Sequence, residues 1–162
     1  MTKTTGDAYT FQIPGTVTAG TGAMYYFYVE NGAGLYSYSS DFSVAVQITG
    51  NGLTVPFSGF GNNQSNYRIV SVPIQATTAT ANAIFGDDLG SYDKTKWGMF
   101  HYQGTSTQEL TGSSSLQIGT GYWLIANKSA TLDTGPGTTP NVILYDPFKI
   151  SLSPGWNQIG NP

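Results

Sequence analysis

The chain has no cysteine, a single histidine and few charged side chains. Among its 162 residues, Lys and Arg number six, Asp and Glu number nine, and charged residues make up only 9%. Disulfides and thiolate metal sites are therefore excluded, and one histidine is too little for a zinc site. Because the net charge is −3, no basic surface is present to neutralise phosphates. We therefore expect no nucleic-acid partner.

Long apolar runs are also missing. The longest, at residues 23–29, is far too short to cross a bilayer, so we expect no membrane insertion. Aromatic residues are abundant instead, at 14% with 11 Tyr, and Gly occurs 21 times. The polar surface must then consist mainly of hydroxyl and amide groups. That composition is typical of extracellular β-rich modules, and we expect an extracellular or cell-surface location.

Short alternating runs separated by Gly, Pro, Asn and Asp predict an all-β fold. We expect an antiparallel β-sandwich, immunoglobulin/fibronectin-like or jelly-roll-like, with at most one short helix near residues 79–88. Residues 23–30 are apolar on both faces, which predicts a central strand or one buried on two sides. The strands are predicted at residues 9–13, 23–30, 35–39, 42–48, 67–74, 97–102, 121–126, 130–133, 148–152 and 156–161.

A Gly- and Asn-rich stretch at residues 57–66 predicts a junction between two parts. Residues 1–56 would form fibronectin/immunoglobulin-like strands and residues 57–162 a β-rich module, although one continuous sandwich is an alternative. Residues 66–73 and 155–162 each hold an aromatic, a short apolar stretch and a final proline at the same spacing. We interpret them as the same strand of a repeat, the second copy closing the sheet or pairing with a neighbour.

Five motifs in the second part carry a resemblance to known proteins. They are Tyr67–Pro73, Asp87–Trp97, Gly119–Ile125, Leu132–Gly137 and Gly155–Pro162. In this order they resemble an uncharacterised β-rich region of secreted or cell-surface multi-domain proteins of Bacteroidetes-type bacteria. The runs at residues 9–14 and 25–34 resemble strands of a fibronectin type III or immunoglobulin-like domain. The resemblance implies an exported chain beside adhesion or glycan-processing modules, and it supplies no catalytic residues.

Catalytic and metal-binding patterns are weak in this chain. No nucleophile elbow is present, and His101 has no evident Ser and Asp partners, so we expect no enzyme activity. Asp87, Asp88 and Asp93 surround Gly90 and could supply oxygens to calcium. Capping, an Asx turn and pairing with nearby lysines explain the three aspartates equally well. Calcium is thus the one cofactor that the sequence leaves open.

Aromatic side chains are the residues best suited to bind a ligand. The apolar faces of sugars lie on Trp and Tyr rings, and amides and hydroxyls meet the sugar hydroxyls. Tyr122 and Trp123 are consecutive in a predicted strand, so they must point to opposite faces. Packing in a β core is the alternative role for every one of these rings. The candidate glycan-binding residues are Trp97, Tyr102, Tyr122, Trp123, Trp156, Tyr36 and Tyr38.

Two functional hypotheses follow from these patterns. The first is a non-catalytic structural or adhesive module of a bacterial secreted or cell-surface multi-domain protein. Its partners would be neighbouring domains of the same polypeptide, or further copies of the chain held by strand pairing. The second is a carbohydrate-binding module that uses exposed Trp and Tyr rings and amide side chains.

Overall fold

The computed structural model describes residues 2–3, 5–6, 9–10, 12, 23–58, 61–140 and 147–162. These residues form mostly antiparallel β structure with one short α-helix, which confirms the predicted all-β class. The strands are β1 Thr2–Lys3, β2 Tyr9–Thr10, β3 Ala23–Tyr25, β4 Tyr28–Glu30, β5 Tyr36–Tyr38, β6 Phe42–Val44, β7 Gln47–Ile48, β8 Thr54–Phe57, β9 Arg68–Ser71, β10 Gln75–Ala76, β11 Trp97–Tyr102, β12 Thr107–Leu110, β13 Gly121–Ala126, β14 Ala130–Asp133 and β15 Gly137–Thr138, and the helix is α1, Ala81–Leu89.

The largest sheet has four antiparallel strands in the order β12-β11-β13-β9. Met99 lies opposite both Leu110 and Leu124, and all three side chains are buried. Trp123 lies opposite Phe100 and points to the other face, because side chains alternate along a strand. One face of this sheet therefore covers the core, and the other carries exposed and half-exposed aromatic rings.

The helix α1 and strand β14 cover the inner face of the four-stranded sheet. The Thr80 hydroxyl accepts a hydrogen bond from the Ala83 N–H at 3.3 Å and so caps the start of the helix. The helix ends at Gly90, whose φ of 88° favours glycine. Ile84 and Phe85 point from α1 into the core. The predicted helix near residues 79–88 is confirmed, with slightly later boundaries.

Strands from before and after residues 57–66 pair with each other. β8 is hydrogen-bonded to β14, and β7 is hydrogen-bonded to β15, which also pairs with β10. The Thr134 hydroxyl accepts a hydrogen bond from the Leu53 N–H at 3.0 Å. The segment at residues 47–57, which contains β7 and β8, thus shares backbone hydrogen bonds with residues 130–138.

Residues 23–30 do not form the central strand that their apolar faces predict. They form two short strands, β3 paired with β6 and β4 paired with β5, each in a two-stranded ribbon. Their rings contact one another instead of a core: Tyr25 stacks on Phe42 with ring centroids 5.4 Å apart. A turn follows β4, with the Gly34 N–H donating to the Asn31 carbonyl at 3.0 Å.

The C-terminal strand predictions are wrong. Residues 148–152 are irregular, and residues 156–161 make only an isolated bridge between Ile159 and Thr120. Residues 66–73 and 155–162 are therefore not two copies of one repeated strand. Arg68–Ser71 pairs along its whole length with β13, whereas residues 155–162 make only the isolated bridge. Strands β1, β8, β10, β12 and β15 have no counterpart among the predicted ones. No helix in the described ranges has the length and hydropathy to span a membrane.

The predicted strand at residues 9–13 lies partly outside the described residues, which include only residues 9, 10 and 12 of it. Only Tyr9–Thr10 is assigned, where it pairs with Thr2–Lys3.

Candidate functional site

The C-terminal segment, residues 155–160, runs across one end of the four-stranded sheet. The Gly121 N–H donates to the Gln158 carbonyl at 3.2 Å, and the Gly160 N–H donates to the Gly119 carbonyl at 3.0 Å. A Cβ on Gly121 would lie 2.6 Å from the Ile159 carbonyl oxygen. Glycine at this position therefore allows the segment to approach the sheet closely.

Side chains of the segment fix its local shape. The Asn157 amide donates to the Ser153 carbonyl at 2.8 Å and accepts from the Ser153 N–H at 2.9 Å, which closes a tight loop. The Gln158 Oε1 accepts a hydrogen bond from the Tyr102 N–H at 2.8 Å. These contacts leave Trp156 at the surface with 85% of its area exposed.

An aromatic groove of about 510 Å³ lies between this segment and the outer face of the sheet. Trp123, 38% exposed, comes from β13, whereas Trp156 comes from the C-terminal segment. The Tyr102 hydroxyl donates to the Gly104 carbonyl, so the ring is held in place. The lining residues are Ile69, Tyr102, Trp123, Trp156, Asn157, Gln158 and Ile159.

A polar pocket of about 260 Å³ adjoins the aromatic groove and shares Tyr102 and residues 156–159 with it. The His101 Nδ1 lies 3.3 Å from the Gly121 carbonyl at its inner end. Among the described residues that line the pocket, none is Asp, Glu, Lys or Arg. Its remaining lining residues are His101, Gln103, Gly104, Gly119, Thr120, Ile150, Ser151 and Ser153.

Two of the predicted ligand-binding aromatics lie in the core. Trp97 is 1% exposed and donates its Nε1–H to the Gly90 carbonyl at 2.8 Å. Tyr122 is 3% exposed, and its hydroxyl accepts from the Gln117 N–H at 2.8 Å. Both rings are packing residues and line neither the groove nor the polar pocket. The prediction that Tyr122 and Trp123 face opposite sides of the sheet is confirmed.

Two others, Tyr36 and Tyr38, belong to a separate surface that we term the tyrosine ribbon. It consists of the exposed rings of Tyr26, Tyr28, Tyr36 and Tyr38 on and beside the β4–β5 hairpin. Neighbouring rings touch: the Tyr28 and Tyr38 centroids are 5.3 Å apart, and those of Tyr36 and Tyr38 are 5.6 Å apart. A hydrogen bond to Glu30 raises the pKa of Tyr28.

The aspartates predicted as calcium ligands have separate backbone partners. Asp88 accepts from the Asp133 N–H at 2.9 Å, and Asp93 accepts from the Thr95 N–H at 2.9 Å. Asp87 accepts from the Asp88 N–H at 3.1 Å. Burial raises the pKa of Asp88, whereas the Thr95 hydrogen bonds lower the pKa of Asp93. Over the described part of the chain, no three acidic, His or Cys side chains cluster in a way that could hold a metal ion.

Sequence reasoning selected the three aromatic residues of the groove but none of its other residues. Gln158 lies two residues after the selected Trp156, yet nothing in its spacing distinguishes it from other amides. Ile69 can be identified as a groove residue only from its position opposite Trp123 in the sheet. Comparison with known proteins finds no matching family model, no matching curated protein and no matching solved structure. The resemblance to secreted bacterial proteins therefore stays a prediction.

Proposed function

We propose that this chain is a non-catalytic adhesive module of a secreted or cell-surface protein, and that it binds carbohydrate in the aromatic groove. The observation that carries the proposal is the convergence of Trp123, Trp156 and Tyr102 on one groove beside an amide-lined pocket. Ligand sites in proteins combine mostly apolar walls with a few polar groups in this way.

The exposure of the two tryptophans supports the assignment. Trp156, at 85% exposed, contributes little to packing, and Trp123 displays its ring on the outer face of β13. Large aromatic rings at a surface offer apolar area with limited loss of side-chain entropy on binding. A sugar ring presents C–H groups on its faces and hydroxyls at its edge, which suits aromatic rings flanked by amides.

The charge of the groove supports binding without hydrolysis. A glycosidase generally requires two carboxyl groups that flank the scissile bond. Among the described residues, no Asp or Glu lines the aromatic groove or the polar pocket. Glu109, the acid at the edge strand β12, is engaged by Lys94 at 2.9 Å.

Titration with oligosaccharides and insoluble polysaccharides tests the proposal, with tryptophan fluorescence and calorimetry as readouts. We expect Trp123→Ala and Trp156→Ala each to weaken binding about tenfold or more, a loss of about 1.4 kcal/mol or more. Tyr36→Ser, an exposed aromatic on the tyrosine ribbon, is the matched control and should leave the affinity unchanged. Binding that survives both tryptophan substitutions, or no binding to any polysaccharide, would contradict the proposal.

The tyrosine ribbon favours a second candidate function, a structural module that associates with further copies of itself. Among the described residues, β4 and β5 pair only with each other, so the outer edge of each strand has no strand partner. Free edges next to exposed aromatic side chains are suited to strand pairing between chains. Val29 and Leu35, 67% and 70% exposed, extend the apolar area.

A further inference from the structure

A row of four side chains crosses the outer face of the four-stranded sheet. From β12 to β9 it consists of Glu109, Phe100, Trp123 and Ile69, each directly opposite the next. Opposite residues on paired strands have Cβ atoms about 4.5–5.5 Å apart, so the row is continuous from one edge strand to the other. Trp123 and Ile69 line the aromatic groove, whereas Phe100 and Glu109 line a second groove. The row therefore joins two grooves on the same face.

The second groove has a volume of about 500 Å³ and an aromatic wall of its own. The rings of Tyr67 and Phe100 form this wall, with centroids 5.8 Å apart and planes inclined at 57°. A Cβ on Gly98 would lie 3.3 Å from the Phe100 Cε2. Glycine at this position therefore lets the Phe100 ring lie close over the backbone of β11.

Polar groups surround the aromatic wall of the second groove. Among the described lining residues Glu109 is the one acid, and it accepts from the Lys94 Nζ at 2.9 Å and from the Tyr92 hydroxyl at 3.1 Å. Asn127 is held by its amide, which donates to the Thr95 carbonyl at 3.1 Å. Apolar rings with a polar rim repeat the composition of the aromatic groove, and one engaged carboxylate does not supply the pair needed for hydrolysis.

The distance between the two grooves indicates the length of a ligand that fills both. Tyr102 lines the aromatic groove and Gly98 lines the second groove, four residues earlier on β11. At about 3.3 Å per residue, this separation along the strand is about 13 Å. A single sugar ring is too small to contact both ends, whereas a chain of several units can.

We propose that the two grooves form one continuous binding cleft for an extended polysaccharide chain, an inference that rests on the proposed carbohydrate binding. One sugar unit lies against Trp123 and Trp156. The chain then crosses the row between Trp123 and Phe100, and further units lie against Phe100 and Tyr67. The ligand class is thus a linear chain of several units.

Calorimetry with oligosaccharides of two lengths tests the proposal. The probes are the disaccharides and hexasaccharides of β-1,4-linked glucose, mannose and xylose. Overlapping placements of a hexamer on a site for two units account for a gain in affinity of no more than about fivefold. In the series that binds best, we expect the hexamer to bind at least about fiftyfold more tightly than the dimer, because contacts in the second groove add to those in the first.

The Phe100→Ala variant isolates the second groove. We expect its ratio of hexamer to dimer affinity to fall to the roughly fivefold level of overlapping placements. Phe42→Ala removes a ring that is 40% exposed on β6 and lines neither groove, so this control should keep the parent ratio. Near-UV circular dichroism checks folding, and Tyr67→Ala replaces Phe100→Ala if the latter is unfolded.

Lysine acetylation locates the added contacts without a substitution. Lys96 is exposed and lines the second groove, whereas the exposed Lys128 lines neither groove. We expect the hexamer to slow the reaction of Lys96 with acetic anhydride, measured by mass spectrometry, while the dimer does not. Lys128 is the internal reference and should react at the same rate in every sample.

The outcomes separate this inference from the proposed function. A hexamer that gains no more than about fivefold over the dimer would overturn the continuous cleft and leave carbohydrate binding in the aromatic groove in place. A larger gain that persists in Phe100→Ala and Tyr67→Ala, with Lys96 unprotected, would also overturn it, since the added contacts would lie elsewhere. No saccharide binding of any kind would overturn the proposed function itself.

Discussion

Tryptophan occurs three times in the chain, and each copy has a different exposure. Trp97 is 1% exposed in the core, Trp123 is 38% exposed on the sheet, and Trp156 is 85% exposed on the C-terminal segment. Residue type alone made all three candidates for ligand contact. The structure distinguishes the three rings. The register of β11 and β13 places Trp97 in the core and Trp123 at the surface, and the course of the C-terminal segment leaves Trp156 at the surface.

The first residue-scale prediction compares Trp97→Ala with Trp156→Ala. Truncating Trp97 removes a buried ring and its hydrogen bond to Gly90, so we expect a loss of about 3–5 kcal/mol in the free energy of unfolding. Truncating the exposed Trp156 should change it by less than about 0.5 kcal/mol. Urea unfolding followed by circular dichroism measures both. Similar losses in the two variants would show that Trp156 is a packing residue.

The second residue-scale prediction concerns Asp88, whose pKa is raised by burial, with Asp133 and Asp87 adding repulsion. A carboxyl group with a raised pKa in the folded state stabilises below its unfolded pKa, and this stabilisation is lost as the pH rises through the folded pKa. Asp88→Asn cannot ionise and keeps an acceptor for the Asp133 N–H. We expect it to be more stable than the parent at pH 7, by no more than about 1 kcal/mol for a partly exposed group.

The advantage of Asp88→Asn should vanish at about pH 3, where the parent carboxyl is protonated. Urea unfolding at the two pH values measures the difference. A variant that is less stable than the parent at pH 7 would show that the charge-assisted hydrogen bond to Asp133 outweighs burial.

At the scale of the element, alternation and helix signals located the regular parts of the fold. Strands β11, β13 and β14 and the helix α1 lie where the sequence predicts them. Strand β12 was missed because three of its four residues, Thr107–Glu109, are polar and carry no alternation. Strand β8 contains Pro56, which weakens a strand signal.

The groove could not be predicted because one of its walls depends on contacts between distant residues. The segment around Gln158 is held by Gly121 and Gly119, and neither the alternation of Trp156–Asn161 nor its final proline encodes that contact. The same alternation gave the wrong prediction of a closing strand. The exposure and the hydrogen-bond partners of an aromatic ring decide whether it lines the groove or packs in the core. Both depend on the folded structure.

Gly121→Ala tests the element-scale role of this close approach. The new Cβ would lie 2.6 Å from the Ile159 carbonyl oxygen, so the C-terminal segment must move away from β13. We expect an overpacking loss of about 1–3 kcal/mol in the free energy of unfolding. We also expect weaker carbohydrate binding, because Trp156 moves with the segment.

Gly32→Ala is the matched control, since a Cβ there meets nothing within 4 Å. Calorimetry and hydrogen exchange at the Gly160 amide measure the two effects. Unchanged saccharide affinity in Gly121→Ala, despite faster exchange at Gly160, would show that the segment does not contribute to the groove.

At the scale of the whole molecule, the described residues present two exposed aromatic surfaces, the aromatic groove and the tyrosine ribbon. Charged residues are only 9% of the sequence and the net charge is −3, so electrostatic repulsion between copies is weak. Contacts through the ribbon are therefore not opposed by charge.

The double variant Tyr36→Ser/Tyr38→Ser tests self-association through the ribbon. Sedimentation velocity over a range of protein concentrations should show association of the parent chain and a monomeric variant. Because both rings are more than half exposed, at 65% and 57%, the stability of the core should be unchanged. Carbohydrate affinity should also stay the same. A parent chain that is monomeric at every concentration would exclude the self-associating structural role.

The construction of the groove from two unequally anchored walls has a mechanical consequence. Trp123 belongs to a strand hydrogen-bonded on both sides, whereas the segment that carries Trp156 is held to the sheet by an isolated bridge and a few hydrogen bonds. A pulling force applied at the C-terminal end loads these few bonds first. The two tryptophans then separate while the sheet remains folded, so under the proposed function tension on the chain would release a bound saccharide before it unfolds the protein.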